Sequence, residues 1–492
     1  MMELPAVFIE KYQRLLGSDE APAFFESFEQ PAETGFRINP KKTTSKQLAD
    51  YQRNFEGIPW SPLGFYGKSR GHSLPQVSGA VYSQEPSAQA VAALADPKPQ
   101  TRVLDLCAAP GGKTTQLASL LAETGLLVAN EIDGQRVKVL SENVERFGDN
   151  HVVVTNHDPD RLAELLPHFF DLIVIDAPCS GEGMFRKDPD ATQYWSPDYV
   201  QQCQDRQRLI LTAALKMLRP NGQLVYSTCT FSPEENEQNI SWLLEQYPAL
   251  STIAPEQTWP NVDTGRPEWA DGNEQLRHAR RFWPHHLRGE GHFMVKLQAH
   301  DLTIAVQSKT ASTNSSQPAR RQKGTAQKNR RGGTRGRGNS QSQTQQIHLN
   351  RVQQDLLSQF IKATFVQTPV WASLSDKWQL ELHGDQLFAV PTELVDHAGL
   401  KFVRRGLWIG EFRKQRFVPN HALVMATPVS EFIHVVELAD ADLEHYLHGE
   451  ALRLNTELTK GWYPVASEQR IFSWGYLVDG TLKNFYPKNL RF

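Results

Sequence analysis

The stretch Arg102-Val-Leu-Asp-Leu-Cys-Ala-Ala-Pro-Gly-Gly-Lys-Thr114 decides the fold. Arg102 to Cys107 is a short apolar run of the buried-strand type, and a helical pattern follows from Lys113 to Leu121. Between them, Gly111 and Gly112 let the backbone approach a ligand closely. A strand that turns through glycines into a helix sets the turn at the carboxyl edge of an open α/β sheet. Ligands bind at that edge, and helix N-terminal N–H groups favour a carboxylate or phosphate. The turn is not a Walker A loop, because GxxxxGK[ST] ending at Lys113-Thr114 needs glycine where Cys107 stands. It also lacks GxGxxG, which disfavours a nicotinamide-dependent oxidoreductase.

The same alternation continues outward. Leu126 to Asn130, His151 to Thr155, Asp171 to Asp176 and Gly222 to Ser227 read as strands, and Gln135 to Phe147 as a helix. Near-continuous apolar strands between helices predict a parallel sheet covered on both faces, in a unit spanning 79–300. Before it, residues 1–78 read as a small mixed α+β domain. Pro5 to Leu16 has helical spacing up to Gly17, and Gly35 to Pro40 reads as a short strand. After it, residues 301–346 are rich in Ser, Gln, Gly, Arg and Asn and read as a basic disordered linker. Strand-like runs return at Trp378–Leu382, Gln386–Val390, Lys401–Ile409 and Ile471–Val478, giving an α+β module over 347–428 and another over 429–492.

Composition narrows the class. The 492 residues are too many for one core, and 39% hydrophobic with 22% charged fits a globular chain. No run of about 20 apolar residues suggests a membrane span, and the first residues lack a signal-peptide pattern. Four cysteines at irregular spacing argue against a disulfide framework and for a reducing, cytoplasmic setting. Neither CxxC nor a Cys/His cluster suggests a metal. The net charge of −3 hides an asymmetry, because residues 308–346 hold nine Lys/Arg and no Asp/Glu, leaving −12 on the rest.

Three of the four cysteines, Cys107, Cys179 and Cys229, fall in apparent motifs. Cys179 follows the strand ending at Asp176, and Cys229 follows the strand ending at Ser227. Adjacent strands would bring both thiols to the sheet edge that carries the glycine turn. A single cysteine reads most simply as a packed core residue, but two in polar, Gly/Pro-punctuated loops point to covalent chemistry. A free thiol of pKa ~8.5 is only slightly ionised at neutral pH, and Lys113 nearby would raise the thiolate fraction. Glu131 lies at a strand end where an acid accepts hydrogen bonds from ribose hydroxyls, and Asp158 follows the next strand, in reach of an adenine-type edge.

The blocks DLCAAPGGKTTQLA, DAPCSGEGMFRKDP and YSTCTFSPEENE, with FRIN from Phe36 and GEGHFMV from Gly289, resemble the Sun/nucleolar-protein family of RNA cytosine-C5 methyltransferases. The resemblance implies a Rossmann-like methyltransferase domain using S-adenosyl-L-methionine, with an N-terminal RNA-recognition domain. It implies Cys229 as the nucleophile adding at C6, Cys179 as the group that resolves the adduct, Asp176 as the holder of the cytosine N3/N4 edge, and Lys113 as support for the base or for that aspartate. Cys107, Ala108, Ala109, Pro110, Gly111, Gly112, Lys113, Glu131, Asp158 and Asp176 would line the cofactor site. The run Phe402 to Phe417, Leu443 to Glu450 and the ending Gly480 to Leu490 resemble the bacterial small-subunit rRNA methyltransferase F family, with its terminal PUA-like module. That resemblance implies a cytosine in the decoding region of 16S rRNA, presented on the assembled small subunit, and a monomeric enzyme. A tRNA target stays open, as does an RNA-binding assembly factor with secondary catalysis.

RNA contacts are expected where basic and aromatic residues interleave. Arg404, Arg405, Arg413, Lys414 and Arg416 alternate with Trp408, Phe412 and Phe417, a pattern suited to phosphate contact plus base stacking, or to a strand pair with a solvated basic face. Arg186 and Lys187 flank the Cys179 loop and are expected to guide the RNA backbone. The Arg330 to Arg337 stretch reads as a nonspecific tether or a plain solvated linker.

Overall fold

A computed structural model describes residues 3–122, 124–302, 304, 349–373, 377–394, 397 and 399–492. The basic linker expected over 301–346 lies almost wholly outside the described residues.

The central sheet grows from the sequence that decides the fold. Its parallel strands are β1 (Arg102–Asp105), β2 (Leu126–Asn130), β3 (Val152–Thr155), β4 (Phe170–Asp176) and β5 (Leu218–Thr228). They stand in the order β3-β2-β1-β4-β5, and antiparallel β6 (His292–Ala299) continues the sheet beside β5. Val103, Leu127 and Val174 point to one face and Leu104, Val128 and Ile173 to the other. Helices cover both faces, so the buried middle of each parallel strand is apolar on both sides and shows no alternation. The first face packs on α1 (Gly112–Leu121) and α2 (Arg136–Phe147), the second on α3 (Pro159–Leu165), α4 (Pro197–Met217) and α5 (Glu237–Gln246). α2 shows why these helices dock: Val137, Leu140, Val144 and Phe147 form one buried stripe, and Gly148 ends the helix at φ 85°.

The strand order reverses between β1 and β4, which opens a crevice at their carboxyl ends. Cys107 to Gly112 follow β1, Cys179 follows β4 and Cys229 follows β5, so all three segments meet at this switch point.

The N-terminal unit is docked against that crevice. Its helix Ala6–Ser27 breaks at Gly17 (φ 72°), as the sequence predicts, and then resumes. Phe8, Tyr12 and Phe24 are buried in an aromatic cluster with Phe185, Trp195, Phe231 and Trp283 of the central unit. Its four-stranded sheet includes Val81–Ser83, paired with Gly35–Ile38. The boundary expected at residue 78 therefore moves beyond Ser83, because strand pairing carries the chain back into the first sheet.

The C-terminal region holds a four-stranded sheet (378–419) and a five-stranded sheet (436–484). The single strand expected over Lys401–Ile409 is two. Phe402–Arg404 pairs with β3 of the central sheet, and Leu407–Arg413 joins the first C-terminal sheet. The chain changes sheets at Gly406 (φ 129°), where a Cβ would lie 2.5 Å from Ala389 O. Among the described residues, no helix is long and apolar enough to cross a membrane.

Candidate active site

The turn after β1 is pinned from two sides. Arg136 Nη2 donates to Ala109 O (2.8 Å) and Asn143 Nδ2 to Pro110 O (2.8 Å), both from α2. From the N-terminal unit, buried Arg37 donates through Nη2 to Gly112 O (2.7 Å) and Thr115 Oγ1 (2.8 Å). Gly111, at φ 114°, caps α1 in a conformation that side-chain-bearing residues rarely adopt. Below the turn sits Asp105, fully buried. Thr114 donates to its Oδ2 (2.7 Å), while its Oδ1 has no partner. Burial pushes its carboxyl up to about 7. Burial also pushes the Cys107 thiol up.

Asp176, at the end of β4, accepts from Lys113 Nζ at Oδ2 (2.6 Å) and from Ser227 Oγ at Oδ1 (2.8 Å). His292 Nε2 stands 3.3 Å from the same Oδ1. Burial alone would raise this carboxyl, but Lys113 and His292 outweigh it and hold Asp176 well below the usual carboxylate range. Burial likewise pulls the Lys113 ammonium down, and the charge and hydrogen bond of Asp176 reverse that shift.

The two cysteines meet as the strand order requires: Cys179 Sγ and Cys229 Sγ are 3.4 Å apart. Contact with Cys229, and then burial, pushes the Cys179 thiol well up. Lys113 also feels the charge of Cys229.

Two buried glutamates tie the cysteine loops together. Glu182 accepts from Trp195 Nε1 (2.9 Å) and Ser232 Oγ (2.6 Å) at Oε1, and from Tyr12 Oη (2.6 Å) and Phe231 N (2.9 Å) at Oε2. Glu235 accepts from Ser180 N (3.0 Å) and Gln207 Nε2 (2.7 Å) at Oε2, and burial lifts its carboxyl to about 7. Gly183 packs so closely that a Cβ would lie 2.8 Å from Cys229 O.

Residues 92–298 match the family described as 16S rRNA methyltransferase RsmB/F. Residues 4–86, 359–427 and 433–492 match the N-terminal, first C-terminal and PUA domains of RsmF. Ribosomal RNA small subunit methyltransferase F of Erwinia tasmaniensis is 31% identical over 506 aligned residues, covering 99% of this chain and 96% of that protein. The chain belongs to the small-subunit rRNA methyltransferase F family. The protein of the same name from Cronobacter sakazakii is 37% identical over 310 residues, 60% of this chain and 63% of that one. A solved methyltransferase homolog from Pyrococcus horikoshii superposes with a TM-score of 0.51 at 29% identity, covering 60% of this chain and all of that one.

Within this methyltransferase F fold, the remaining expected cofactor residues fall into place unevenly. Ala108 and Ala109 are buried, Pro110 is exposed, and Glu131 is buried at the end of β2, where its Oε1 accepts from Asp133 N (2.9 Å). Asp158 is exposed, and its Oδ1 caps α3 by accepting from Asp160 N (3.0 Å) and Arg161 N (3.4 Å), which leaves only Oδ2 for a ligand.

Several expected RNA contacts of this family member are corrected. Arg186 is buried: it pairs with Glu290 (2.8 Å) and donates to Gly289 O, so it latches the protein and is closed to a phosphate. Arg404 is buried as well, facing Glu145 (3.7 Å) and Asp149 O (3.2 Å). Phe412 and Phe417 lie in the C-terminal core and offer no stacking face. Strand alternation explains the pattern, with aromatics turned inward and cations outward. Arg405 is half-buried between Glu381 (3.0 Å) and the Phe402 ring (4.3 Å). Lys187, Arg413, Lys414 and Arg416 are exposed.

Among the described residues one group has the composition of a metal site, Glu20 with His285 and His286. Arg266 Nη2 already donates to both oxygens of Glu20 (2.8 and 2.9 Å), so a cation serves that carboxylate. The sequence reading missed His292, Glu182, Glu235 and Asp105 as site residues. All four stand inside the quoted blocks, and for the three acids a buried carboxyl beside a cysteine was the available signal.

Proposed function

We propose that the protein methylates C5 of a cytosine in the decoding region of 16S rRNA, on the assembled small subunit, as a cytoplasmic monomer using S-adenosyl-L-methionine. The observation that carries this reading is the pair of thiols 3.4 Å apart beside the Lys113–Asp176 ion pair. The cofactor residues fit: the partnerless buried Oδ1 of Asp105 and the acid at Glu131 suit a ligand bearing an amino group and ribose hydroxyls, with Asp158 Oδ2 as a further acceptor. When bound, the cofactor supplies an electrophilic methyl group.

Cytosine C5 is a poor nucleophile. Cys229 Sγ forms a bond to C6, and the C5=C6 electron pair becomes available at C5, where it would form the bond to the methyl group that the cofactor gives up and leave one proton to be lost from that carbon. Asp176 accepts a hydrogen bond from the N4 amino group on the cytosine N3/N4 edge, matching a carboxylate to an N4 donor while positive charge develops on the ring. Lys113 keeps Asp176 ionised throughout. Once the Cys229 sulfur is uncharged in its bond to carbon, the repulsion that suppresses ionisation of Cys179 is gone. Cys179 then takes the C5 proton, and the C6–S bond breaks to release the base and restore Cys229. The cytosine must leave its stack, or already lie in a loop, to reach these sulfurs.

The test combines purified protein and methyl-labelled S-adenosylmethionine with unmodified small subunits, naked 16S rRNA and tRNA, and identifies the labelled nucleoside by mass spectrometry. 5-Methylcytidine on small subunits supports reaction, substrate and assembly stage together. Label on tRNA alone keeps the chemistry and overturns the substrate. Full activity in Cys229→Ala sinks the covalent route, and Cys179→Ala is expected to accumulate a protein–RNA adduct.

A further inference from the structure

Asp176 is held from three directions. Two holds are ordinary hydrogen bonds, from Lys113 to Oδ2 and from Ser227 to Oδ1. The third neighbour is His292, the first residue of β6, whose side chain is only 3% exposed. Its Nε2 stands 3.3 Å from Asp176 Oδ1, within ion-pair distance but outside hydrogen-bond geometry, and has no other acceptor. A buried nitrogen left with one half-made contact calls for an explanation. Catalytic hydrogen bonds are often long in substrate-free enzymes and tighten in the substrate complex.

Counting acceptor positions gives the contact a purpose. A carboxylate offers about four. Ser227 and His292 occupy those of Oδ1 and Lys113 one of Oδ2, which leaves one position on Oδ2 for substrate. Without His292, a single rotatable hydroxyl holds Oδ1 against the pull of the Lys113 ammonium, and the carboxylate plane is free to turn.

We propose that His292 is a positioning residue for Asp176, donating from Nε2 to Oδ1 so that the open acceptor of Oδ2 faces the cytosine N3/N4 edge. The inference rests on the cytosine-C5 reading above. β6 delivers this histidine to the site because Phe293 pairs with Thr228, next to Cys229.

The experiment compares His292→Gln, which keeps an N–H donor, with the near-isosteric His292→Met, which has none. His292→Phe is a second donor-free variant. The probe is a small subunit reconstituted on a 16S rRNA transcript containing 5-fluorocytidine, on which loss of a C5 proton is blocked and the covalent adduct persists. Rates of adduct formation are measured beside kcat and KM on small subunits, and cofactor affinity is measured by calorimetry. H292M is expected to slow adduct formation and kcat at least ten-fold, with KM and cofactor affinity changed less than two-fold. H292Q is expected to recover at least a third of the parental rate. Parental rates in a folded H292M or H292F overturn the inference, and so does an H292Q as slow as H292M at equal melting temperature. If the parent forms no adduct, or Cys229→Ala forms one, the cytosine-C5 reading itself falls and takes the His292 role with it.

Discussion

Glu182 offers the sharpest test of how this site is built. Its four donors come from Tyr12 in the N-terminal helix, Trp195 before α4, and Phe231 and Ser232 beyond Cys229. Replacing it with glutamine keeps the shape and turns one oxygen into an N–H₂ group. Whichever way the amide lies, two donors then face a donor. A hydroxyl can rotate to accept, but Phe231 N–H or Trp195 Nε1–H cannot. One buried N–H is therefore stranded, at about 1–3 kcal/mol, and the surviving bonds lose their charge assistance. The sum is about 3–5 kcal/mol, which lowers the melting temperature of a domain this size by roughly 10 °C. Tyr12→Phe removes one hydrogen bond to a charged group and costs about 1.5–3 kcal/mol. Because Glu182 ties the Cys179 loop to the Cys229 loop, E182Q also loses more than ten-fold in kcat at temperatures where it is fully folded. Thermal unfolding and single-turnover methylation well below both transitions check the two effects. An E182Q that melts within 2 °C of the parent and keeps its kcat refutes the cross-tie reasoning.

Three further outcomes are expected. Asp105, ordinarily near 3.8 but lifted by burial to about 7, keeps its proton in the folded chain after the unfolded chain has released it. Its contribution therefore makes stability fall as pH rises from about 4 to about 7, by up to about 4 kcal/mol. Asp105→Asn flattens melting temperature between pH 5 and pH 8, and an unchanged slope counts against it. Arg281 and Glu237 form a buried bidentate pair, so Arg281→Ala leaves an uncompensated charge and costs about 3–5 kcal/mol in denaturant titration. Lys414→Glu with Arg416→Glu weakens RNA binding and lowers its salt slope by about 1–2. Arg186→Ala instead lowers the melting temperature and leaves the salt slope unchanged, because its charge is spent on Glu290. Equal salt slopes in the parent and the Lys414/Arg416 variant refute the assignment of that surface.

The legible parts of this protein are those fixed by local pattern. Strands buried on both faces announce themselves as apolar runs, and the cysteine loops follow from strand ends. Neighbouring strands made the meeting of Cys179 and Cys229 readable before any coordinates. What resisted reading depends on distant residues. Arg404 and Arg413 look alike within one basic run, but Gly406 switches the chain between two sheets and buries the first against Glu145. Arg186 sits beside the catalytic loop, but residue 290 decides its role. His292 is one histidine in an apolar strand, a pattern that ordinarily means core, and only the register of β6 on β5 sets it against Asp176.

The N-terminal unit is better understood as part of the catalytic apparatus than as an appended RNA arm. Arg37 holds Gly112 O at the head of the cofactor turn. Tyr12 completes the coordination of Glu182, and Lys11 donates to Ser232 Oγ (2.9 Å) and pairs with Glu234 (2.8 Å), just beyond Cys229. Glu33 N donates to Glu290 Oε1 (2.6 Å), the acid that also fixes Arg186. All three segments of the switch-point crevice thus carry a bond that originates before residue 40. Fixed donors and acceptors stabilise a transition state only if they need no reorganisation when charge develops. The Asp176–Lys113–Cys229 group stands at the end of β4, in the first turn of α1 and in the loop after β5. Buried contacts from a second folded unit add rigidity at these element ends.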